Sequence, residues 1–216
     1  MKISKVEKIK FKKDIFKISF EDSKKSLTVS VDSVVKFALR TGVDISKDVY
    51  KEILFYDKSR NGISEALMLV SKRSYSVKNL QKKLIKRGYG IKNSVEVVER
   101  LKELNCLNDE EHTRNYVAYL SEKGKGEFLI KAELEKQGIE RSLISNALEV
   151  VKANGETPKQ IVKILKIKFK NFDGKDKDEL GKVVSFFIRR GFSSGDIAKA
   201  FKLCSQCCDC VDRLNN

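Results

Sequence analysis

One helical phrase, written three times at nearly constant spacing, constrains this chain more than any other feature. It reads Leu80-Gln81-Lys82-Lys83-Leu84-Ile85-Lys86-Arg87-Gly88-Tyr89, then Ile130-Lys131-Ala132-Glu133-Leu134-Glu135-Lys136-Gln137-Gly138-Ile139, then Lys182-Val183-Val184-Ser185-Phe186-Phe187-Ile188-Arg189-Arg190-Gly191-Phe192. Each copy is a helix ending in a basic or amide residue, then Gly, then a large apolar side chain. Gly supplies the left-handed residue that closes a helix, and the apolar residue after it packs back on the last turn. The glycines stand 50 and 53 residues apart. A period near fifty marks one supersecondary unit used repeatedly. The expected fold is therefore mainly α: tandem three-helix repeats in an elongated, solenoid-like array, behind a small N-terminal β/α head.

The head is expected over 1–58. Phe16-Lys17-Ile18-Ser19-Phe20 and Leu27-Thr28-Val29-Ser30-Val31 alternate apolar and polar residues, the period of a half-buried strand, with a turn at 21–26. An earlier strand is read through Ile9 and Phe11, and short helices near 32–40 and 46–57, the second capped by Ser46. Ser59 to Gly62 reads as the junction to the array. The first repeat is expected over 62–105, with helices near 62–72, 77–87 (capped by Ser76) and 94–105. The second covers 106–154, with helices near 109–122, 126–137 and 140–153. The third covers 155–203, with helices near 158–171, 177–190 and 194–203. It opens on Thr157-Pro158, a cap residue before proline, and Ser193 with Asp196 makes an acidic capping box before its last helix. A Cys-rich tail, 204–216, follows.

Charge is distributed unevenly along this frame. The chain of 216 residues carries a net +15. Residues 59–104 hold 11 basic side chains against 4 acidic, whereas residues 105–154 are slightly acidic at −2. A segmental basic excess favours a polyanionic partner, such as nucleic acid, a nucleoprotein or an acidic protein surface. Lys78, Lys82 and Lys86 recur every four residues on one helix, Lys83 and Arg87 flank them, and Lys72-Arg73 precede them, with no acid between 72 and 87. Lys166, Lys168, Lys170, Arg189 and Arg190 form a second, weaker patch. For any one lysine a solvated helix face accounts for the residue. As a cluster the first group suits a phosphate backbone or an acidic filament surface. Aromatic residues do not interleave with these cations, so a base-stacking platform is not expected.

The residues leave little for catalysis. His112 is the sole histidine and has no Ser, Cys or carboxylate arranged with it as a triad; it reads as a partly buried stand-in for an apolar residue. Asp109-Glu110-Glu111 read as helix N-terminal charges favoured by the dipole. Gly124-Lys125-Gly126 is too short for a phosphate loop. Cys204, Cys207, Cys208 and Cys210 include a Cys-x2-Cys spacing and are the weak metal candidates. Structural zinc sites, however, join two pairs from separate turns, and four nearly contiguous thiols read rather as an incidental tail. Cys106 is read as a small buried residue. No cofactor is expected. No apolar run approaches a membrane span and no export signal precedes the head, so a cytoplasmic protein with reduced thiols is expected.

Several of these phrases, taken together, resemble the RecX family. Ala66-Leu67-Met68-Leu69-Val70-Ser71-Lys72-Arg73-Ser74-Tyr75-Ser76, with Leu80 and Lys83-Leu84 after it, is similar to the family's first repeat. Leu101-Lys102-Glu103-Leu104 and Leu107-Asn108-Asp109-Glu110 resemble the lead into its second. Lys125-Gly126, Ile130, Glu133-Leu134, Lys136 and Gly138-Ile139 resemble the second-repeat phrase itself. Asn79 departs from an often acidic position, and His112-Thr113 stand where Phe-Ala is usual. The head looks like the extension of longer members. The resemblance implies a monomeric regulator of the RecA recombinase, without catalytic residues or metal, that binds the RecA–DNA filament along its groove. It implies limits on filament growth, ATP hydrolysis, strand exchange and coprotease activity. The residues alone leave two other readings open: a helical module that binds single- or double-stranded DNA without a recombinase partner, and, with less support, a nuclease.

Overall fold

The computed structural model describes residues 1–11, 14–21, 23–170, 172, 174 and 176–204, with the side chains of 23–25 left aside. The chain divides into two compact units, Met1–Leu107 and Asn108–Asn216.

Alternation in the first thirty residues produces an antiparallel meander in the order β1 (Ile3–Lys8), β2 (Ile15–Phe20), β3 (Ser23–Ser30). Register pairs Val6 with Ile18, and Ile18 in turn with Leu27, so one face carries Ile3, Ile18, Phe20, Leu27 and Val29 into the head core. The first strand lies earlier than the Ile9–Phe11 pattern indicates. Ile3 and Val6 face the core instead, and Phe11 is fully exposed at φ 65° in the following turn. The turn after β2 is shorter than expected, because pairing resumes at Ser23.

Helix α1 (Val31–Lys36) stops before the expected residue 40. Ala38 turns left-handed (φ 47°), and this brings Leu39 into the core with its N–H on the Val34 carbonyl at 2.9 Å. Helix α2 (Lys47–Val70) corrects the largest organisational expectation. The junction read at Ser59–Gly62 is uninterrupted helix. Its N-terminal half places Ile53, Val49 and Tyr50 in the head core, and its C-terminal half places Ala66, Ile63 and Val70 in the next one. Gly62 is a packing residue here: a Cβ on it would lie 2.7 Å from Val97 Cγ2.

Two further helices complete the first unit, α3 (Val77–Lys86) and α4 (Gly90–Glu103). Ser76 caps α3, accepting from the Asn79 N–H at 3.3 Å. Leu80, Leu84, Val97 and Leu101 are fully buried between α2, α3 and α4, each contributing about 1.5–3 kcal/mol by transfer from water. Helix α4 begins a turn earlier than its apolar pattern indicates, because Asn93 is buried and donates to the Phe55 carbonyl (2.9 Å) and Ser59 Oγ (2.8 Å). Cys106, expected inside, is exposed. Asn105 adopts φ 53° after α4, and Leu107 enters the core instead.

The second unit contains α5 (Asp109–Glu122), α6 (Glu127–Gln137), α7 (Arg141–Ala153), α8 (Glu156–Lys168), α9 (Lys177–Arg189) and α10 (Ser194–Leu203). One core gathers Val117, Leu120, Ile130, Leu134, Ile144 and Leu148, and another gathers Ile161, Leu165, Val183, Phe187, Phe192, Ile197 and Phe201. Asn108 caps α5 through Glu110 and Glu111 N–H groups, and Ser193 caps α10, its Oγ accepting from the Asp196 N–H (3.0 Å) and donating to Asp196 Oδ2 (2.6 Å), so the carboxylate meets the cap hydroxyl. Helix α8 starts at Glu156 after a left-handed Gly155, so Pro158 lies within the first turn, where no N–H is needed, and not at its opening position.

The repeated phrase closes identically three times. Gly88, Gly138 and Gly191 have φ of 91°, 79° and 84°. In each case the N–H of the next residue returns to the carbonyl five residues back: Tyr89 to Leu84, Ile139 to Leu134 and Phe192 to Phe187, at 3.1–3.2 Å. This is the Schellman closure, in which the apolar residue after Gly is drawn onto the helix.

Candidate basic binding surface

Helix geometry decides which of the clustered cations reach solvent. Leu80 and Leu84 anchor the inner face of α3, and Lys78, Lys82 and Lys86 consequently project from the outer face, all exposed. Lys72 and Arg73 are exposed just before the helix, and Lys83 is half-buried on its flank. Arg87 comes one residue after Lys86, about 100° further round the helix. It turns back toward α2 and forms an ion pair with Glu65. Arg73 lies over the Tyr75 ring, 4.5 Å from its centroid. Among the described residues, Lys72, Arg73, Lys78, Lys82, Lys83 and Lys86 form no ion pair, so six cations of the seven are uncompensated by a carboxylate. Glu65 precedes the basic run and lies 22 residues before Arg87, and only the packing of α3 on α2 reveals it as a partner.

The second patch separates into solvated and structural members. Lys166, Lys170 and Arg189 are exposed. Lys168 and Arg190 both lie over the Phe186 ring, at 5.3 and 5.1 Å from its centroid. Arg190 is half-buried and donates from Nη1 to the Gly124 carbonyl at 3.1 Å. It serves as an internal tie between α9 and the α5–α6 turn. The two patches belong to different compact units.

Gly124-Lys125-Gly126, which has no phosphate-loop pattern, is the other half of that tie. Gly126 N–H donates to the Arg190 carbonyl (2.8 Å) and Phe128 N–H to the Gly191 carbonyl (3.0 Å). The N-terminal amides of α6 thus meet the C-terminal carbonyls of α9, each supplying the partner that a helix end lacks, with opposite dipole ends in contact. The backbones approach so closely that a Cβ on Gly126 would lie 2.3 Å from Gly191 C and O and from Phe192 N. In sequence the only trace of this joint is a glycine with no conformational need to be one.

A polar seam joins α5 to α6. His112 is buried, with Nε2 3.0 Å from Gln137 Oε1, and stacks on Tyr116 at 5.6 Å. Tyr116 Oη donates to Glu133 Oε1 (2.8 Å), and Lys125 Nζ to Glu133 Oε2 (2.6 Å). Burial, then the hydrogen bond to Glu133, push the Tyr116 phenol from its ordinary 10.0 up to about 12. The folded protein keeps this proton where the unfolded chain loses it. The stabilisation from this phenol is thus complete below pH 10 and is lost as pH rises toward about 12. Hydrogen bonds from Lys125 and then Tyr116 hold Glu133 below its ordinary 4.5, and that contribution is lost as pH falls beneath it. In an ultraviolet titration a late tyrosine step near pH 12 is expected, and Tyr116→Phe to remove it. If the late step persists in the variant, it belongs to another tyrosine.

No group of three or more His, Cys, Asp or Glu is placed to hold a metal among the described residues. Cys204 is buried in the core of the α8–α10 bundle, while Cys207, Cys208 and Cys210 lie outside the described residues. No described helix is long and apolar enough to cross a membrane.

Known proteins match this chain in sequence and in fold. The family described as "RecX, second three-helix domain" matches residues 108–148, the span of α5, α6 and most of α7. Regulatory protein RecX of Bacillus licheniformis is 29% identical over 184 residues, covering 85% of this chain and 70% of the relative. Regulatory protein RecX of Bacillus subtilis is 29% identical over 199 residues (92% and 75%), and that of Streptococcus sanguinis 27% over 203 residues (94% and 76%). A crystal structure of regulatory protein RecX superposes with a TM-score of 0.70 at 22% identity, covering 92% of this chain and 98% of the other. RecX from Lactobacillus salivarius superposes with a TM-score of 0.59 at 22% identity, over 68% and 97%. At such identities these two speak for the fold, and the sequence matches speak for descent. The chain is thus similar to RecX regulatory proteins in sequence over most of its length, with its clearest family match at 108–148, and it shares their fold.

Proposed function

We propose that this protein regulates a RecA recombinase in the cytoplasm by binding, as a monomer, to the recombinase–DNA filament, limiting filament growth, ATP hydrolysis and strand exchange without chemistry of its own. The observation that carries this reading is the exposed stripe Lys78, Lys82 and Lys86 on α3, continued by Lys72 and Arg73 and left without carboxylate partners among the described residues. Such a surface suits a phosphate backbone or an acidic filament face. The relatives are named regulatory proteins, which agrees with an effect exerted through binding. A binder shifts a filament equilibrium only by its differential affinity for the two states.

The test is ATP hydrolysis by the cognate recombinase on single-stranded DNA, titrated with this protein at two salt concentrations. Inhibition well below one molecule per recombinase is expected. Lys78→Glu, Lys82→Glu and Lys86→Glu together should weaken it at least about tenfold and, where phosphates are the contact, lower the salt slope by about one per lysine. Arg87 is left out of this variant, since reversing it also breaks the pair with Glu65. Unchanged hydrolysis alongside salt-sensitive binding to bare DNA would sink the recombinase reading in favour of a DNA-binding module acting alone.

A further inference from the structure

The second unit carries an open groove of about 790 Å³ whose walls are three helix stripes, distinct from the basic surface on α3. Helix α5 contributes Glu110 to Glu122, α7 contributes Leu143 to Val151 and the residue after its end, Asn154, and α8 contributes Glu156 to Ile167, in each case largely at intervals of three and four residues. From first to last residue each stripe spans eleven or twelve helical steps, about 16–18 Å, or three turns. The apolar lining comes from Val117, Leu143, Val150, Val151, Ile164 and Ile167. Val150 on α7 is 60% exposed and Ile167 on α8 is 62% exposed, two aliphatic side chains on different walls of the groove.

We propose that this groove docks an amphipathic α-helix of a partner protein, apolar along the stripe that enters it and acidic along the edge that meets α8. Length and shape fit a helix laid into a groove, which is read by anchors spaced three, four and seven residues apart. Charge supplies the edge. The cations lining the groove are Arg114, Lys123, Lys159, Lys163 and Arg190, and the acids are Glu110, Glu122 and Glu156. Glu110 pairs with Arg114 at 3.5 Å, and Arg190 is tied to Gly124. On the α5 side Glu122 balances Lys123 in net charge, and Lys123 lies over the Tyr119 ring, 5.6 Å from its centroid. On α8, Lys159 and Lys163 lie one turn apart and form no ion pair among the described residues, opposed only by Glu156 at the helix start. The cationic edge is thus on α8. This proposal stands apart from the recombinase reading, since it rests on other residues and requires no DNA.

The test uses the full chain and two designed helical peptides of about four turns, sharing one apolar stripe and carrying either Glu or Lys on the edges. Fluorescence anisotropy should show the Glu peptide binding at least about tenfold more tightly than the Lys peptide. Val150→Glu with Ile167→Glu should abolish binding; both positions are mostly exposed, so the thermal transition should be unchanged. Lys159→Glu with Lys163→Glu should reverse the preference between the peptides. Equal binding of both peptides, no binding of either, or binding indifferent to Val150 and Ile167 would overturn the proposal. So would concentration-dependent self-association that Val150→Glu removes, because the occupant would then be a second copy of this chain.

Discussion

Gly126→Ala should destabilise the second unit by about 3 kcal/mol or more, as overpacking against rigid backbone does. In a chain of this size that lowers the melting temperature by about 6–12 °C. The backbone at Gly126 (φ −84°) is one any residue adopts, so the loss is steric and not conformational. Its new Cβ would meet Gly191 C and O at 2.3 Å, atoms that cannot rotate away. Relief requires parting α6 from the α9–α10 turn, which breaks the Gly126–Arg190 and Phe128–Gly191 hydrogen bonds and leaves their amides and carbonyls without partners. Gly181→Ala is the matched control. Gly181 is exposed within α9, and a methyl added there would meet nothing within 4 Å, so alanine should stabilise by up to about 1 kcal/mol. Thermal unfolding followed by circular dichroism checks both. Equal melting of the two variants would show that the joint yields without cost.

Asp57→Ala should cost the first unit about 3 kcal/mol, because it strips the acceptor from the buried Ser33 hydroxyl and from the half-buried Ser30 amide at once. Asp57 is buried on α2, where Oδ1 accepts from the Ser30 N–H (2.7 Å) and Ser33 Oγ (2.9 Å), and Oδ2 from Asn61 Nδ2 (3.2 Å). Ser33 itself is fully buried. Together with the Arg60–Asp32 pair, this carboxylate fastens the β3–α1 corner to α2. Asp57→Asn keeps one acceptor and should lose less. Urea unfolding gives the free energies, and hydrogen exchange at the Ser30 amide should accelerate in Asp57→Ala. A change below about 1 kcal/mol would mean that water replaces the carboxylate and that the corner does not depend on it.

The helical content and its punctuation are legible from residues alone because they rest on local physics. Gly88, Gly138 and Gly191 close helices in any context that lets a left-handed residue form, and Ser46, Ser76 and Ser193 reach amides three residues away. The strands β2 and β3 follow from alternation, and the solvated stripe on α3 from the spacing of its lysines against Leu80 and Leu84. The same locality explains where the pattern misleads. Ser59–Gly62 resembles a junction because glycine and polar residues interrupt an apolar pattern, yet Ser59 receives Asn93 and Gly62 receives Val97, partners more than thirty residues away. Cys106 suits a buried position by residue type, but a left-handed Asn105 sends Leu107 inward in its place.

What the sequence by itself determined, then, was most of the helices, the serine caps at Ser46, Ser76 and Ser193, the three glycine closures and the identity of the cations that face water, since these depend on interactions within a few residues. Tertiary structure alone decided which of those cations remain available, as Glu65 takes Arg87 and Gly124 with Phe186 takes Arg190. It alone also decided that Gly126 must be glycine, that Asp57 holds a corner, and that α5, α7 and α8 leave an apolar groove between them. Each of these is a meeting of residues distant along the chain, and no periodicity or propensity encodes a distance that only packing sets.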